Sequence, residues 1–236
     1  MSALADDTAR GDHPASAPRT LPWSWYADPE IAAREHAAIF RRAWQYAGRR
    51  EELTAPGSFA AAHVAGLPVV LTRDRDDVLR AFANVCRHRG AIVASGTGER
   101  GTLQCPYHAW TYGLDGCLRA APRSEPGFDT TGLGLAPMAV GTWGQFVFVN
   151  PDVGAEPLEQ ALGDLPAIVR ERGLDVDALR FHHRAEYEIR ANWNRARELP
   201  RVLPLPAQPP RARVRHRRPP AGDGGERLPR EPVQPR

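Results

Sequence analysis

The chain has 236 residues, 42% of them hydrophobic, and a formal net charge of +3, proportions that suit one large folded domain or two small ones. No run approaches the roughly 18 apolar residues of a membrane-spanning helix, and the stretch from Met1 to Leu21 lacks the basic-then-apolar order of a signal peptide. The basic surplus does not argue for nucleic acid: from Arg197 onward ten arginines face four acids, while the preceding residues carry 21 arginines and 24 acids.

Residues 1–22 are small, polar and proline-containing, and disorder is expected there. Trp23-Ser-Trp-Tyr-Ala-Asp28-Pro29-Glu30 opens a helix over 23–43. Asp28 is a good N-cap, Pro29 suits the first helical position and Glu30 favours the first turn. Ile31, Ile39 and Phe40 recur near helical spacing toward Trp44. His36, inside this helix, reads as an exposed histidine without a ligand role.

After Trp44 short alternating runs replace the helical pattern. Strands are expected at Phe59–Val64, Pro68–Thr72 and Val78–Val85, with turns at Gly66-Leu-Pro68 and Arg73–Asp77. Gly101–Gln104 reads as a further strand. Trp110–Leu114, the Asp115-Gly116 turn and Cys117–Ala120 read as a hairpin. Gln145–Val149, ended by Asn150-Pro151, closes a small antiparallel β module over 44–155. Cys117 reads as a packed free thiol, and three cysteines are too few for a disulfide framework, so a reducing, cytoplasmic compartment is expected. Helical spacing returns over Pro157–Arg172, with Leu158, Ala161, Leu162, Leu165, Ile168 and Val169 on one side. Arg180–Ile189 has strand character; there, adjacent His182 and His183 would face opposite sides, a poor arrangement for joint metal binding.

The chemistry sits where strands meet loops, at Cys86-Arg-His88-Arg-Gly90 and Cys105-Pro-Tyr-His108-Ala-Trp110: C-x-H, sixteen residues, then C-x-x-H. Each clip presents one sulfur and one nitrogen. Two clips facing each other can offer both sulfurs to one iron and both imidazoles to its neighbour, the ligand set of a Rieske 2Fe–2S centre. A structural zinc site also accepts two Cys and two His, but its common spacings pair like with like or use two C-x-x-C knuckles. In the iron reading the two imidazoles lie toward the surface. Arg87 and Arg89 then flank His88 either as contacts for an acidic redox partner or as plain solvated side chains. Gly90 allows a tight turn, and Pro106 stiffens the second loop.

With these flanks, Asn84-Val-Cys-Arg-His-Arg-Gly90 and Cys105-Pro-Tyr-His-Ala-Trp-Thr-Tyr-Gly-Leu-Asp-Gly116, the chain resembles the large subunit of Rieske non-heme iron ring-hydroxylating oxygenases. The W-Y-x-D-P-E start, Phe146-Val-Phe-Val-Asn-Pro151 and Ala191-Asn-Trp193 extend the likeness from about Leu21 to Trp193. The resemblance implies a mainly β fold, a Rieske-type antiparallel β-sandwich with an N-terminal helix, followed over 156–193 by the α/β start of a helix-grip catalytic domain. It implies a 2Fe–2S cluster on Cys86, His88, Cys105 and His108. It further implies electrons from a reductase or ferredoxin, a homotrimer, and O2-dependent hydroxylation of an aromatic ring or quaternary amine at a mononuclear iron held by two His and a carboxylate. Respiratory Rieske proteins add a loop-to-loop disulfide at the positions of Ala91 and Tyr107, and a serine hydroxyl where this chain has Trp110. Without them, and with Tyr112 as the remaining donor, a potential toward the low end of about −150 to +300 mV is expected.

The resemblance fails after Trp193. The family motif E-N-x-x-E-x-Y-H-x-x-x-x-H, which carries the iron histidines, is missing, so no catalytic residue is assigned. In its place Arg197–Pro210 opens a Pro/Arg-rich segment with no aromatic residue. Back-translated with permitted codons and read one base on, that stretch spells E-N-F-L-E-C-Y-H-C-P-L-N-H. A frameshift near Asn194–Arg197 and a disordered, out-of-frame tail over 194–236 are therefore expected. The alternatives are a stand-alone Rieske electron carrier and a structural zinc module.

Overall fold

The computed structural model describes residues 22–184 and Trp193. The expectations for the N-terminus, for 185–189 and for the tail lie outside the described residues. A 3₁₀ turn over Trp23–Tyr26 leads into helix α1, Pro29–Glu35. Asp28 caps it as expected, accepting from the Glu30 N–H at 2.8 Å. The helix widens into a π turn over His36–Phe40 and ends short of Trp44.

Ten strands follow among the described residues: β1 Gln45–Arg49, β2 Ser58–Val64, β3 Leu67–Arg73, β4 Leu79–Ala83, β5 Thr97–Glu99, β6 Thr102–Gln104, β7 Thr111–Gly113, β8 Leu118–Ala120, β9 Pro137–Trp143 and β10 Phe146–Asn150. Seven form one antiparallel sheet in the order β1-β10-β9-β4-β3-β2-β5, and β6-β7-β8 form a second. Near-opposite members β1 and β2 also touch, so the larger sheet curls toward a barrel. Mainly β, antiparallel and Rieske-like is thus the fold.

The curl creates two cores, and β3 feeds both. Val69 and Leu71 point into the barrel with Leu53, Val147 and Val149. Val70 points the other way, joining Phe59, Phe82, Leu103, Tyr112 and the two cysteines between the sheets. A strand covered on both faces needs a continuous apolar run, which Val69-Val70-Leu71 supplies. Each such side chain contributes about 1.5–3 kcal/mol on full burial. The smaller sheet is fastened to the larger by Thr72, whose hydroxyl donates to the Leu114 carbonyl at 2.8 Å. Packing fastens it too: Gly116, at φ +83°, lies so close to Phe82 that a Cβ would meet the ring at 2.3 Å.

Three readings are corrected. His36 is half-buried, not exposed, and its Nε2 lies 2.5 Å from the Ala65 carbonyl at the β2–β3 turn, tying the helical segment to the β module. The helix expected over Pro157–Arg172 is two, α2 Leu158–Leu162 and α3 Leu165–Glu171. Gly163 at φ +52° and Pro166 in the first turn of α3 break it. Cys117 is exposed, while its neighbour Leu118 turns inward.

Candidate metal centre

The two Cys/His loops are the same backbone clip. In the first, between β4 and β5, the Cys86 N–H donates to the Ala91 carbonyl at 2.8 Å and the Gly90 N–H returns to the Cys86 carbonyl at 2.9 Å. In the second, between β6 and β7, the Cys105 N–H donates to the Trp110 carbonyl at 2.8 Å and the Ala109 N–H to the Cys105 carbonyl at 3.0 Å. The residue four after each cysteine is left-handed, Gly90 at φ +73° and Ala109 at φ +57°. Glycine adopts this freely, whereas alanine carries a cost of roughly 1–2 kcal/mol.

These frames turn the thiols inward and the imidazoles outward. Cys86 is 3% and Cys105 2% exposed, both in the core between the sheets. His88 is exposed and His108 half-buried, and their Nδ1 atoms face each other at 3.1 Å. With metal–nitrogen bonds of about 2.0–2.1 Å, nitrogens so spaced subtend roughly 95–100° at one shared ion. The residues present therefore fit a centre that takes both imidazoles on one iron. His88 stacks on Trp110 (4.9 Å between centroids, 7° between planes) and His108 on Tyr107 (3.8 Å, 29°), which fixes both ring orientations.

Two residues complete the setting. Tyr112 is fully buried. Its oxygen accepts from the Arg87 N–H at 3.0 Å, leaving the phenol hydrogen for Cys86 Sγ, 3.2 Å away. Burial, and next the hydrogen bond to Cys86, push the phenol above its ordinary range, so it stays protonated and donating. Asn84 was missed by sequence reasoning. Its side chain donates to the Ala94 carbonyl at 2.7 Å and accepts from the N–H groups of Val93 and Ala94 at 3.1 and 2.9 Å, closing the base of the first loop. Its place at the −2 position from Cys86 was the one available signal.

His108 is held below the ordinary histidine range by desolvation first, then by His88, Arg89 and Arg123, so its ring is neutral and able to bind a metal at neutral pH. Arg123 was not singled out from the sequence. It comes from the segment between β8 and β9 and, with Arg87, Arg89 and Phe128, lines an open depression of about 580 Å³ over the two imidazoles.

His182 and His183 do not lie in a strand; their rings are 5.9 Å apart, edge to face, and distant from the four residues above in the fold's layout of elements. Among the described residues no three His, Cys, Asp or Glu side chains gather as ligands of a single ion. That speaks against a four-ligand zinc site, whereas a 2Fe–2S centre asks for two side chains per iron. No helix among them is long and apolar enough to cross a membrane.

Comparison with known proteins agrees with this geometry. Residues 43–142 match the family model for the Rieske 2Fe-2S domain. The chain is similar to the chloroplastic choline monooxygenase of Spinacia oleracea, 34% identical over 180 residues, covering 74% of this chain and 41% of that protein. Among solved structures it is similar to a quaternary ammonium Rieske monooxygenase in complex with gamma-butyrobetaine, with 34% identity, TM-score 0.68, 74% of this chain and 51% of that one. It is also similar to naphthalene 1,2-dioxygenase with indole bound, at 30% identity and TM-score 0.58 over 61% of this chain and 34% of that one. The chain thus spans about half or less of the proteins it matches.

Proposed function

We propose, from the premise that this chain carries the Rieske domain of an oxygenase large subunit of the quaternary-amine and aromatic-ring-hydroxylating family, that Cys86 and Cys105 hold one iron of its 2Fe–2S cluster and His88 and His108 the other. The facing imidazole nitrogens, 3.1 Å apart above two buried thiols, carry this assignment. When bound, the cluster supplies one-electron uptake and release. The chain's own residues set the terms. The sealed thiols keep water from the sulfurs, the Tyr112 hydroxyl donates to Cys86, and Trp110 holds His88 with its edge toward solvent.

A reductase or ferredoxin is the proposed electron source. With one hydroxyl at the cysteines, the potential belongs toward the low end of about −150 to +300 mV. Oxygen-dependent hydroxylation is the activity proposed for the whole protein. Quaternary amines are favoured as substrates, because the quaternary ammonium oxygenase is the better match in TM-score, 0.68 against 0.58. The described residues offer no three-ligand site for a mononuclear iron, so in this reading their part is electron delivery. The same observation favours the second reading, a stand-alone carrier.

The test is anaerobic reconstitution of the full chain with iron and sulfide, followed by metal analysis and pulsed EPR after ¹⁵N-histidine labelling. Two irons, two sulfides and two strongly coupled nitrogens are expected, with both couplings lost when His88 and His108 are replaced. A preparation that takes up zinc alone sinks the assignment. Oxygen consumption with a quaternary amine, iron and an electron source separates oxygenase from carrier.

A further inference from the structure

The depression over the imidazoles has one sign of charge. Arg87 and Arg89 reach it from the first loop, and Arg123 from a segment more than thirty residues later, so the clustering is made by the fold and not by sequence adjacency. No acidic side chain lines it. Arginines that pair with carboxylates do so elsewhere, at Arg49, Arg73, Arg80 and Arg119. Arg87, Arg89 and Arg123 have no such partner among the described residues and are exposed. Arg123 is in addition held at φ +66°, a conformation that costs a non-glycine residue of order 1–3 kcal/mol and is kept where surroundings enforce it. Beside the arginines, Phe128 is 43% exposed and packs edge-on against Trp110, the residue on which His88 stacks.

Unpaired cations around an exposed aromatic, at the edge of the imidazoles, match an encounter surface of the small, electrostatically steered kind. We infer that this face docks the acidic surface of the electron-donor protein, with Arg87, Arg89 and Arg123 meeting its carboxylates and Phe128 as the apolar contact. The inference deepens the cluster assignment above and rests on it. One electron leaves the donor's reduced iron–sulfur centre and enters the oxidised centre beneath the imidazoles; no covalent bond forms or breaks.

The experiment uses the reconstituted full chain and a plant-type 2Fe–2S ferredoxin, an acidic protein, as probe. Binding of oxidised ferredoxin is titrated across ionic strengths, and reduction by reduced ferredoxin is followed by stopped flow. Affinity is expected to fall as salt rises. Arg123→Glu is expected to weaken binding roughly tenfold at low salt and to flatten the salt dependence. Arg123→Gly removes the charge while relaxing the backbone, so it should fold at least as well and still bind more weakly. Arg123→Lys should retain most of the affinity. Reduced methyl viologen, a small cation, should react no more slowly with these variants.

Salt-independent binding, or Arg123→Gly binding as wild type, overturns the docking face. So does equal slowing with both donors, which marks loss of driving force instead. Binding of inorganic phosphate with no ferredoxin affinity overturns it as well. Failure of the cluster assignment is distinct, because it appears as absent iron and sulfide before ferredoxin is added.

Discussion

The two ligand-bearing loops share one hydrogen-bonded frame and differ in what holds it. The first places histidine two residues after its cysteine, uses glycine at the left-handed corner and is closed by the buried Asn84. The second places histidine three residues on, puts alanine at the corner and is closed by strand pairing, Gln104 opposite Thr111. The one-residue offset lets two like clips present their imidazoles face to face while both cysteines stay sealed. The comparison teaches that symmetry of backbone and asymmetry of side chains divide the labour: the frame sets direction, and the unequal anchors set stability and electronics.

The largest expected effect tests the shared frame. Cys86→Ser and Cys105→Ser should each abolish cluster uptake, read by visible absorption and iron content; a serine variant that retains the cluster would exclude that loop from ligation. Asn84→Ala comes next. It leaves three buried backbone groups without partners and should destabilise the chain by about 2–4 kcal/mol in urea unfolding. Its counterpart in the second loop, Gln104→Ala, removes only an exposed bond to Thr111 and should stay within about 0.5 kcal/mol. Equal losses would erase the proposed asymmetry of anchoring.

Tyr112→Phe probes electronics. The phenol bond favours the more negative, reduced sulfurs, so its loss should lower the potential by roughly 40–60 mV, taking a net bond of about 1 kcal/mol and 59 mV per tenfold. Redox titration measures it, and an unchanged or raised potential contradicts the donor role. Cys105 has no such hydroxyl among the described residues. The corner residues give a smaller, opposite pair. Gly90→Ala meets nothing within 4 Å and should cost about 1 kcal/mol from backbone strain alone, whereas Ala109→Gly should gain about 0.5–1 kcal/mol.

The smallest effect is a titration in the metal-free protein. His108 should gain its proton only at a pH below the ordinary histidine value of 6.5, as followed by NMR. Because its folded pKa is depressed, unfolding takes up a proton in that window, and stability rises with pH across it. Arg123→Gly should move the His108 midpoint upward, since one of the cations that depress it is gone.

How far these features were legible depended on whether their cause was local. The spacing of Cys86, His88, Cys105 and His108 is written in covalent sequence, and the two clips were readable from it. Asp28 as a cap and the alternating runs that became β2, β3 and β10 were local as well. What escaped depended on distant partners. Thr97-Gly-Glu99 is short and fully exposed and becomes β5 only because β2 lies beside it. Pro137–Trp143 opens with proline and shows no period of two, because it is half-buried along most of its length. Gln45–Arg49 is interrupted by an irregular register between Tyr46 and Gly48. Ala109 is not a turn residue by type; comparison with Gly90 at the same distance from a cysteine was the clue to it. Arg123 joins the site by tertiary placement alone.

The sealed thiols and outward imidazoles carry one further consequence. A centre seated in these loops has a single doorway, since the sulfur side is closed by Tyr112, Leu103 and Phe82. Whatever delivers a charge and whatever collects it must then approach by the same threshold, one after the other or side by side. Throughput would be governed by how quickly the departing visitor clears the step, a matter of release and not of arrival.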